Sequence, residues 1–459
     1  MGWKRIIGIT VLAAAVAGAW WYTRPKYKAV APQLACHVGA YRLDDGRIVD
    51  ISPLTDGDTL RWRLLDGRSG KLGLHDGGRW SGQKGWSSEA DPLPVDLGNC
   101  ASPRLNFDGQ AGKRLEFATQ ETRFAGDGVE LAGRLVMPAG SAAVPVAVLV
   151  HGSEAYSART YAWFQRLLPA HGIGVFVYDK RGTGDSGGRY SQDFGLLAND
   201  AVAALKQARL LAGARIARIG FSGGSQAGWI APLAATRSDA QFVAIGYGLA
   251  DSPLAEDRDQ VMLDLKQAGH GDEVLAKARE VTDATGAIVA SGFRDGYARL
   301  DALKQKYAKE PWWKDMHGEF SGDVANNPAF ALRLFGPMYD QGTSWEYDPM
   351  PALRAQKVPL LWILAGADRE APPDETRRRL LSVAQENGNV TLVEFPDTDH
   401  GILEFDTLPD GSRRPTRVAD GYLGLLTDWI RAGKIDGVYG RAQVLALPQA
   451  AQPIPVASD

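Results

Sequence analysis

The run Gly223-Gly224-Ser225-Gln226-Ala227-Gly228 stands between an apolar, β-prone stretch, Ile216 to Ser222, and the helix-forming Trp229-Ile230-Ala231-Pro232-Leu233-Ala234-Ala235. That order predicts a serine on the tight turn between a buried strand and a helix. Small residues around the serine let the backbone take a strained conformation while neighbouring main chains come close. A side chain held there points outward instead of packing. The amide of Gln226 then falls at a helix N-terminus, where unpaired N–H groups and the helix dipole stabilise an oxyanion. The same turn can be no more than a well-capped helix start, so it does not define a serine hydrolase alone. Gly220-Phe221-Ser222-Gly223-Gly224 also fits Gly-x-Ser-x-Gly and offers Ser222 as a second frame. That frame would put two glycines in the first helical turn at about 1 kcal/mol each, which favours Ser225.

The chain has 459 residues, 45% of them apolar, enough for two or three domains with a substantial core. Its 51 basic and 54 acidic residues leave a net charge of −3, so no electrostatic footprint for nucleic acid is present. Met1-Gly2-Trp3-Lys4-Arg5 precedes an uncharged apolar stretch, Ile6 to Tyr22. A basic start followed by such a stretch predicts an export signal or an N-terminal membrane anchor over residues 1–28. Ala17-Gly18-Ala19 suits cleavage, whereas Trp20, Trp21 and Tyr22 followed by Arg24, Lys26 and Lys28 suit retention at an interface. Either way the protein is expected outside the cytoplasm, in the periplasm or anchored facing it. The two cysteines, Cys36 and Cys100, flank one small segment, and in an oxidising compartment they are expected to form a disulfide.

Between the cysteines, Asp-Gly pairs recur at 45–46, 56–57, 66–67 and 76–77, a spacing that matches a strand plus a tight turn. Residues 36–115 therefore read as a small antiparallel β domain, with Trp62, Trp80 and Trp86 expected in its core. From Glu121 a hairpin leads into alternating strands and helices, which predicts a mostly parallel sheet with helices on both faces over 121–249 and 346–435. Strands are expected at Val144 to Val150, Gly174 to Tyr178, Ile216 to Ser222, Phe242 to Tyr247, Leu360 to Leu364 and Val390 to Phe395. Helices are expected near 160–170, 196–212, 226–236, 374–386 and 416–431. The charged, helix-patterned stretch 250–345 interrupts this alternation and reads as a cap over the C-terminal ends of the strands. Its aromatics, Tyr307, Trp312, Trp313, Phe320, Phe330, Phe335 and Tyr339, either line an apolar substrate pocket or pack the cap itself. The Gln-, Ala- and Pro-rich tail, 440–459, is expected to be disordered.

A serine hydroxyl needs a neighbouring base, and the base needs a third group to orient it. Among seven histidines, His400 follows the last long strand in Asp397-Thr398-Asp399-His400-Gly401, a mobile loop at the correct edge of the sheet. Asp368 ends the strand before it and precedes His400 by enough chain for one helix and one strand. Asp251 is the rival acid, with Asp397, Asp399 and Glu370 behind it. His151-Gly152-Ser153 opens from the end of the first long parallel strand, so the Ser153 amide can share an oxyanion with the Gln226 amide, and His151 becomes a brace. No cluster with metal-ligand spacing and no phosphate-binding glycine loop is present, so no metal and no cofactor is expected.

Strand–His151-Gly152, then Tyr178-Asp179-Lys180-Arg181-Gly182-Thr183-Gly184-Asp185-Ser186, the serine turn, Asp368 and His400 come in that order. With them the chain resembles the α/β-hydrolase superfamily over about residues 121–432, and within it the serine aminopeptidase-like and acylaminoacyl-peptidase-like hydrolases. The resemblance implies an α/β-hydrolase fold with catalytic Ser225, Asp368 and His400, and a structural role for Asp179 and Arg181. Two positions depart from the pattern. Ala227 replaces the usual turn glycine, and Glu154 stands where this group often has glycine, either to recognise a substrate amine or simply as a solvated carboxylate. The expected activity is acyl-enzyme hydrolysis of a small carboxylic ester. Short peptides or thioesters are the alternative substrates, and an exported, non-enzymatic binding module is a distant one.

Overall fold

The computed structural model describes residues 27–101 and 104–448. The expected signal or anchor over residues 1–28, but for Tyr27 and Lys28, and the end of the tail lie outside them. Among the described residues no helix is long and apolar enough to cross a membrane.

Nine antiparallel strands within residues 39–114 form the first sheet. The first six lie side by side in chain order, and the ninth returns to pair with the first. The Asp-Gly pairs occupy the tight turns. Gly67, with φ of 88°, is the one that matters beyond its turn. It lets the carbonyl of Val418, far along the chain, approach to where a Cβ would lie only 2.0 Å away. Trp62 is buried and Trp80 packs against the same core, but Trp86 departs from expectation. It is 37% exposed, with the Arg61 guanidinium 4.3 Å above its ring. Cys36 and Cys100 are joined in a disulfide across 64 residues. In chain-entropy terms such a crosslink contributes about 4 kcal/mol.

The second sheet contains β1 (Ala118–Ala125), β2 (Glu130–Met137), β3 (Val144–Val150), β4 (Gly174–Tyr178), β5 (Ile216–Gly224), β6 (Val243–Gly246), β7 (Leu360–Ala365) and β8 (Val390–Phe395). A separate hairpin, β9 (Leu403–Thr407) and β10 (Arg413–Val418), precedes the edge strand β11 (Gln443–Ala446). The sheet order is β1-β2-β4-β3-β5-β6-β7-β8-β11, parallel from β4 to β8. The central strands are continuous apolar runs because both faces are covered. Helices α1 (Phe164–Ala170) and α9 (Tyr422–Ala432) pack one face; α2 (Phe194–Ala212), α3 (Ala227–Thr236) and α8 (Pro373–Asn387) pack the other. Two expectations are corrected. The helix placed at 416–431 begins only at Tyr422, because 413–418 pairs as β10. The tail is not structureless from Gly440, because β11 pairs with β8.

The insertion holds α4 (Pro253–Gln267), α5 (Asp272–Ala290), α6 (Tyr297–Tyr307) and α7 (Ala329–Tyr339), which surround an apolar cluster of their own. Ser252 caps α4 by accepting from the Ala255 amide, and Pro253 fills its first turn, where its missing N–H costs nothing.

The two sheets are joined through a buried ion pair. Asp50, fully buried, accepts from Arg166 Nε of α1 at 2.7 Å and lies 3.7 Å from Arg63; Arg166 also donates to Ser52 Oγ at 2.8 Å. Removing the carboxylate strands two guanidinium groups out of water. Asp50→Ala is therefore expected to cost about 3–5 kcal/mol, read as a lowered urea midpoint; a midpoint within error of the parent's would refute it.

Candidate active site

Strand β5 runs two residues past its predicted end, so that Gly223 and Gly224 are its last members and Ser225 follows in a left-handed conformation, φ 54°. Both glycines are required by close approach. A Cβ on Gly223 would lie 2.2 Å from the Val150 carbonyl, and one on Gly224 would lie 2.3 Å from the Tyr247 ring. Ala227 fits for the same reason, since its methyl group points at the place where Gly223 has no side chain. The Ser225 amide donates to Gly246 O at 3.1 Å, and Ser225 O accepts from the Gly228 amide at 2.8 Å. Ser222, by contrast, is buried inside β5, paired with Leu149 and Ala244.

His400 Nδ1 donates to Asp368 Oδ2 at 2.9 Å. A carboxylate only accepts, so this bond leaves Nε2 of the neutral ring unprotonated and free to accept. Asp368 is buried, and its other oxygen accepts from the amides of Glu370 and Ala371 at 2.9 and 2.8 Å. The rival acids are occupied elsewhere. Asp251 pairs with Arg379 at 2.9 Å, and Asp397 pairs with Arg441 at 2.6 Å. Asp399 accepts from the Arg369 and His400 amides and pairs with Arg413 at 2.9 Å, fixing the loop.

Ser225, His400, Gly152 and Ser153 line one cavity of about 380 Å³. No hydrogen bond joins Ser225 Oγ to His400 Nε2 among the described residues. That nitrogen instead stands 3.5 Å from Glu370 Oε1. Asp368 and His400 thus meet as expected, while the serine shares the cavity of His400 without bonding to the ring. The ring is steadied by the edge of Tyr247 at 4.9 Å.

His151 is the expected brace: its Nε2–H donates to Tyr178 O at 2.5 Å, and its Nδ1 lies 3.9 Å from Glu154. Burial lowers its pKa, more than Glu154 raises it, which keeps the ring neutral. Neither the Ser153 amide nor the Gln226 amide donates to an acceptor among the described residues. Ser153 lines the cavity, whereas Gln226 is buried and follows the lining residue Ser225. Asp179 accepts from Ser157 Oγ at 2.8 Å and from the amides of Arg159 and Asp185, and Arg181 forks onto buried Asp200 at 2.8 Å. Both belong to the scaffold.

The apolar wall of the cavity does not come from the cap. It is built by Tyr156, Trp163, Phe164, Tyr247, Tyr422 and Leu426. Trp312, Trp313 and Tyr307 are buried within the cap, and Phe330 is 72% exposed, so the substrate-lining reading of those aromatics is corrected. The sequence offers Glu370 only among the alternative acids and gives no signal for Lys180, which sits between two scaffold residues.

A family model described as "Alpha/beta hydrolase family" matches residues 147–420. The chain belongs to that family. No curated protein matches it. Solved structures similar to it include an esterase of Pyrococcus furiosus, at 16% identity over 62% of this chain and 84% of that one, TM-score 0.39. An acylaminoacyl peptidase of Pyrococcus horikoshii matches at 17% identity over 77% of this chain and 52% of that one, TM-score 0.37. A puromycin-hydrolyzing peptidase of Mycobacterium tuberculosis matches at 17% identity over 79% and 51%, TM-score 0.40. The family assignment rests on the sequence match.

Burial pushes the His400 pKa down, but the hydrogen bond and charge of Asp368, with the charges of Glu370 and Asp399, outweigh it, and the net shift is upward. A base with a raised pKa becomes available only as pH climbs past that value, so the acid limb of activity should lie above the ordinary histidine range. Glu370→Gln removes one charge that holds the proton on the ring. The acid limb of kcat/KM is expected to move to lower pH in this variant, and an unmoved limb would show that Glu370 does not act on the base.

Proposed function

We propose that the protein is a serine hydrolase that cleaves small carboxylic esters through an acyl-enzyme. In this reading His400 Nε2 takes the proton of Ser225, whose oxygen attacks the ester carbonyl. The amides of Ser153 and Gln226 hold the oxyanion, and Asp368 keeps the imidazole in the useful tautomer and stabilises the imidazolium. His400 then returns the proton to the leaving alcohol, and water resolves the acyl-enzyme by the same steps in reverse. The observation that carries the reading is the 2.9 Å His400–Asp368 bond in the same cavity as a serine at φ 54°. The reading requires the serine hydroxyl to take the place of Glu370 at Nε2 when substrate binds; such bonds are commonly long before substrate arrives. The aromatic and aliphatic wall suits an acyl chain.

One observation favours a second reading. Glu154 and Glu370 line the cavity, and neither pairs with a lysine or arginine among the described residues. Above them in the cap, burial and the charges of Glu319, Glu370 and Asp368 push the Glu256 carboxyl well above its usual range. A substrate ammonium would relieve this crowding, which supports aminopeptidase action by the same residues. We place the protein outside the cytoplasm, on the strength of the N-terminal segment and the disulfide.

Ser225→Ala is expected to lower p-nitrophenyl ester turnover by about four orders of magnitude or more and to abolish labelling by a fluorophosphonate probe. Labelling that survives the substitution would end the proposal. Aminoacyl-nitroanilides assayed beside the esters decide between the readings, since faster amide than ester turnover would reverse their order.

A further inference from the structure

Lys180 is buried beneath the loop that carries Ser153, and its Nζ donates to the Gly152 carbonyl at 2.7 Å. Among the described residues it forms no ion pair. Its flanking residues, Asp179 and Arg181, are fully engaged in the scaffold, so Lys180 alone of the three points at the site. The groups facing the ammonium are the Gly152 carbonyl, the Tyr190 ring 4.8 Å away, the Glu154 carboxylate and the neutral His151 ring. Taking an ammonium out of water is costly, and packing would be served at least as well by methionine or leucine.

A trans peptide unit is planar, with its C=O and N–H directed oppositely. Whatever grips Gly152 O therefore aims the Ser153 N–H. A cation on the carbonyl side also draws electron density from the amide and makes that N–H a stronger donor. Two other bonds complete the clamp. His151 donates to Tyr178 O at 2.5 Å, and the Tyr190 hydroxyl donates to Ser153 O.

We infer that Lys180 is a positioning residue for catalysis, which orients and polarises the Gly152–Ser153 peptide so that the Ser153 amide stabilises the oxyanion. The inference rests on the proposed function in one respect, the use of that amide as an oxyanion donor. Burial lowers the ammonium to about 8, with the Glu154 charge opposing the shift. Loss of its proton would therefore weaken the donor at mildly alkaline pH.

The test uses the full chain with Lys180→Met, a replacement of similar length without charge. Loss of a whole oxyanion donor costs about a hundredfold to a thousandfold, and weakening one should cost about tenfold to a hundredfold in kcat on a p-nitrophenyl ester. KM should stay within about twofold. Phenylboronic acid, which forms a tetrahedral adduct, should lose affinity in step with kcat, and an alkaline limb near pH 8 in the parent should vanish from the variant. A lesion that merely loosens the fold would move neither inhibitor nor pH limb in this way. Lys180→Arg, which keeps a cation to higher pH, should recover part of the rate and shift the limb upward. A Lys180→Met enzyme with the parent's kcat and boronate affinity overturns the inference. So does a parent profile flat to pH 10, a measurement that stands even if the variants do not fold. Ser225→Ala, assayed alongside, separates the two claims: parent turnover that does not depend on Ser225 defeats the proposed function, whereas Ser225-dependent turnover indifferent to Lys180 defeats only this step.

Discussion

One residue in a left-handed backbone conformation, Ser225, sets the terms for the whole site. A non-glycine residue there costs on the order of 1–3 kcal/mol and persists only where its surroundings dictate it. They do so here from both sides. Val150 O approaches Gly223, the Tyr247 ring approaches Gly224, and Gly246 O takes the Ser225 amide. Any of these contacts could be relieved by straightening the turn, but β5 is locked between β3 and β6 and cannot move. The strain is held by the sheet, and it projects the hydroxyl into the cavity. Tyr247 takes part twice, as the neighbour that excludes a Cβ at Gly224 and as the ring that steadies His400.

The base is held by a longer chain of contacts that reaches the N-terminal domain. Asp399 ties the His400 loop to the Arg369 amide and to Arg413 on β10, and Arg413 donates onward to Ala367 O. At the end of β10 the Val418 amide donates to Gly67 O, and Arg417 reaches Asp66 O. Thr416 O comes so close to Gly85 that a Cβ there would lie 2.2 Å away. The hairpin that follows the histidine thus rests on two turns of the small β domain. Asp368 and His400 are 32 residues apart, and their separation is fixed by this hairpin on one side and by the parallel pair β7–β8 on the other.

The parts of this arrangement that were legible in the sequence are those written in strong local signals. Strands β3, β4 and β7 are unbroken apolar runs, β5 and β8 are apolar but for Arg218 and Ser222 in the one and Thr391 and Glu394 in the other, and short runs of this kind covered on both faces mark central strands. The position of Asp368 at the end of one strand, and of His400 on the loop after the next, was legible and brings the two together; chain order alone admits Asp251 as well. Hairpin β9–β10 was not legible, because Arg413-Arg414-Pro415-Thr416-Arg417 carries no apolar alternation; its partners are backbone atoms and carboxylates of other elements. The same holds for β11, which adds only four residues to a sheet edge. The cap aromatics were ambiguous in principle, since a ring pattern records burial without saying against what, and Trp312 and Trp313 turned inward. Lys180 and Glu370 depend on which side of a loop faces the cavity, a property that no spacing encodes.

The wall of the cavity gives the small β domain a physical connection to the site. Trp163 and Phe164 stack at 4.1 Å and line the space beside Ser225. Behind them the Arg63 guanidinium, from the β domain, lies 4.7 Å from the Trp163 ring, and Arg63 is itself oriented toward buried Asp50. Asp50 also holds Arg166, two residues beyond Phe164 on the same helix. A cation over a ring and a buried ion pair one helical step away constrain Trp163 and α1 together, so neither can shift without disturbing the other. The cap, which a fold of this kind would make the natural source of substrate contacts, instead spends its large rings on its own core. The apolar side of the cavity is consequently shaped by the segment from Tyr156 to Phe164, and the conformation of that segment is set as much by the N-terminal sheet behind it as by the hydrolase sheet beneath it.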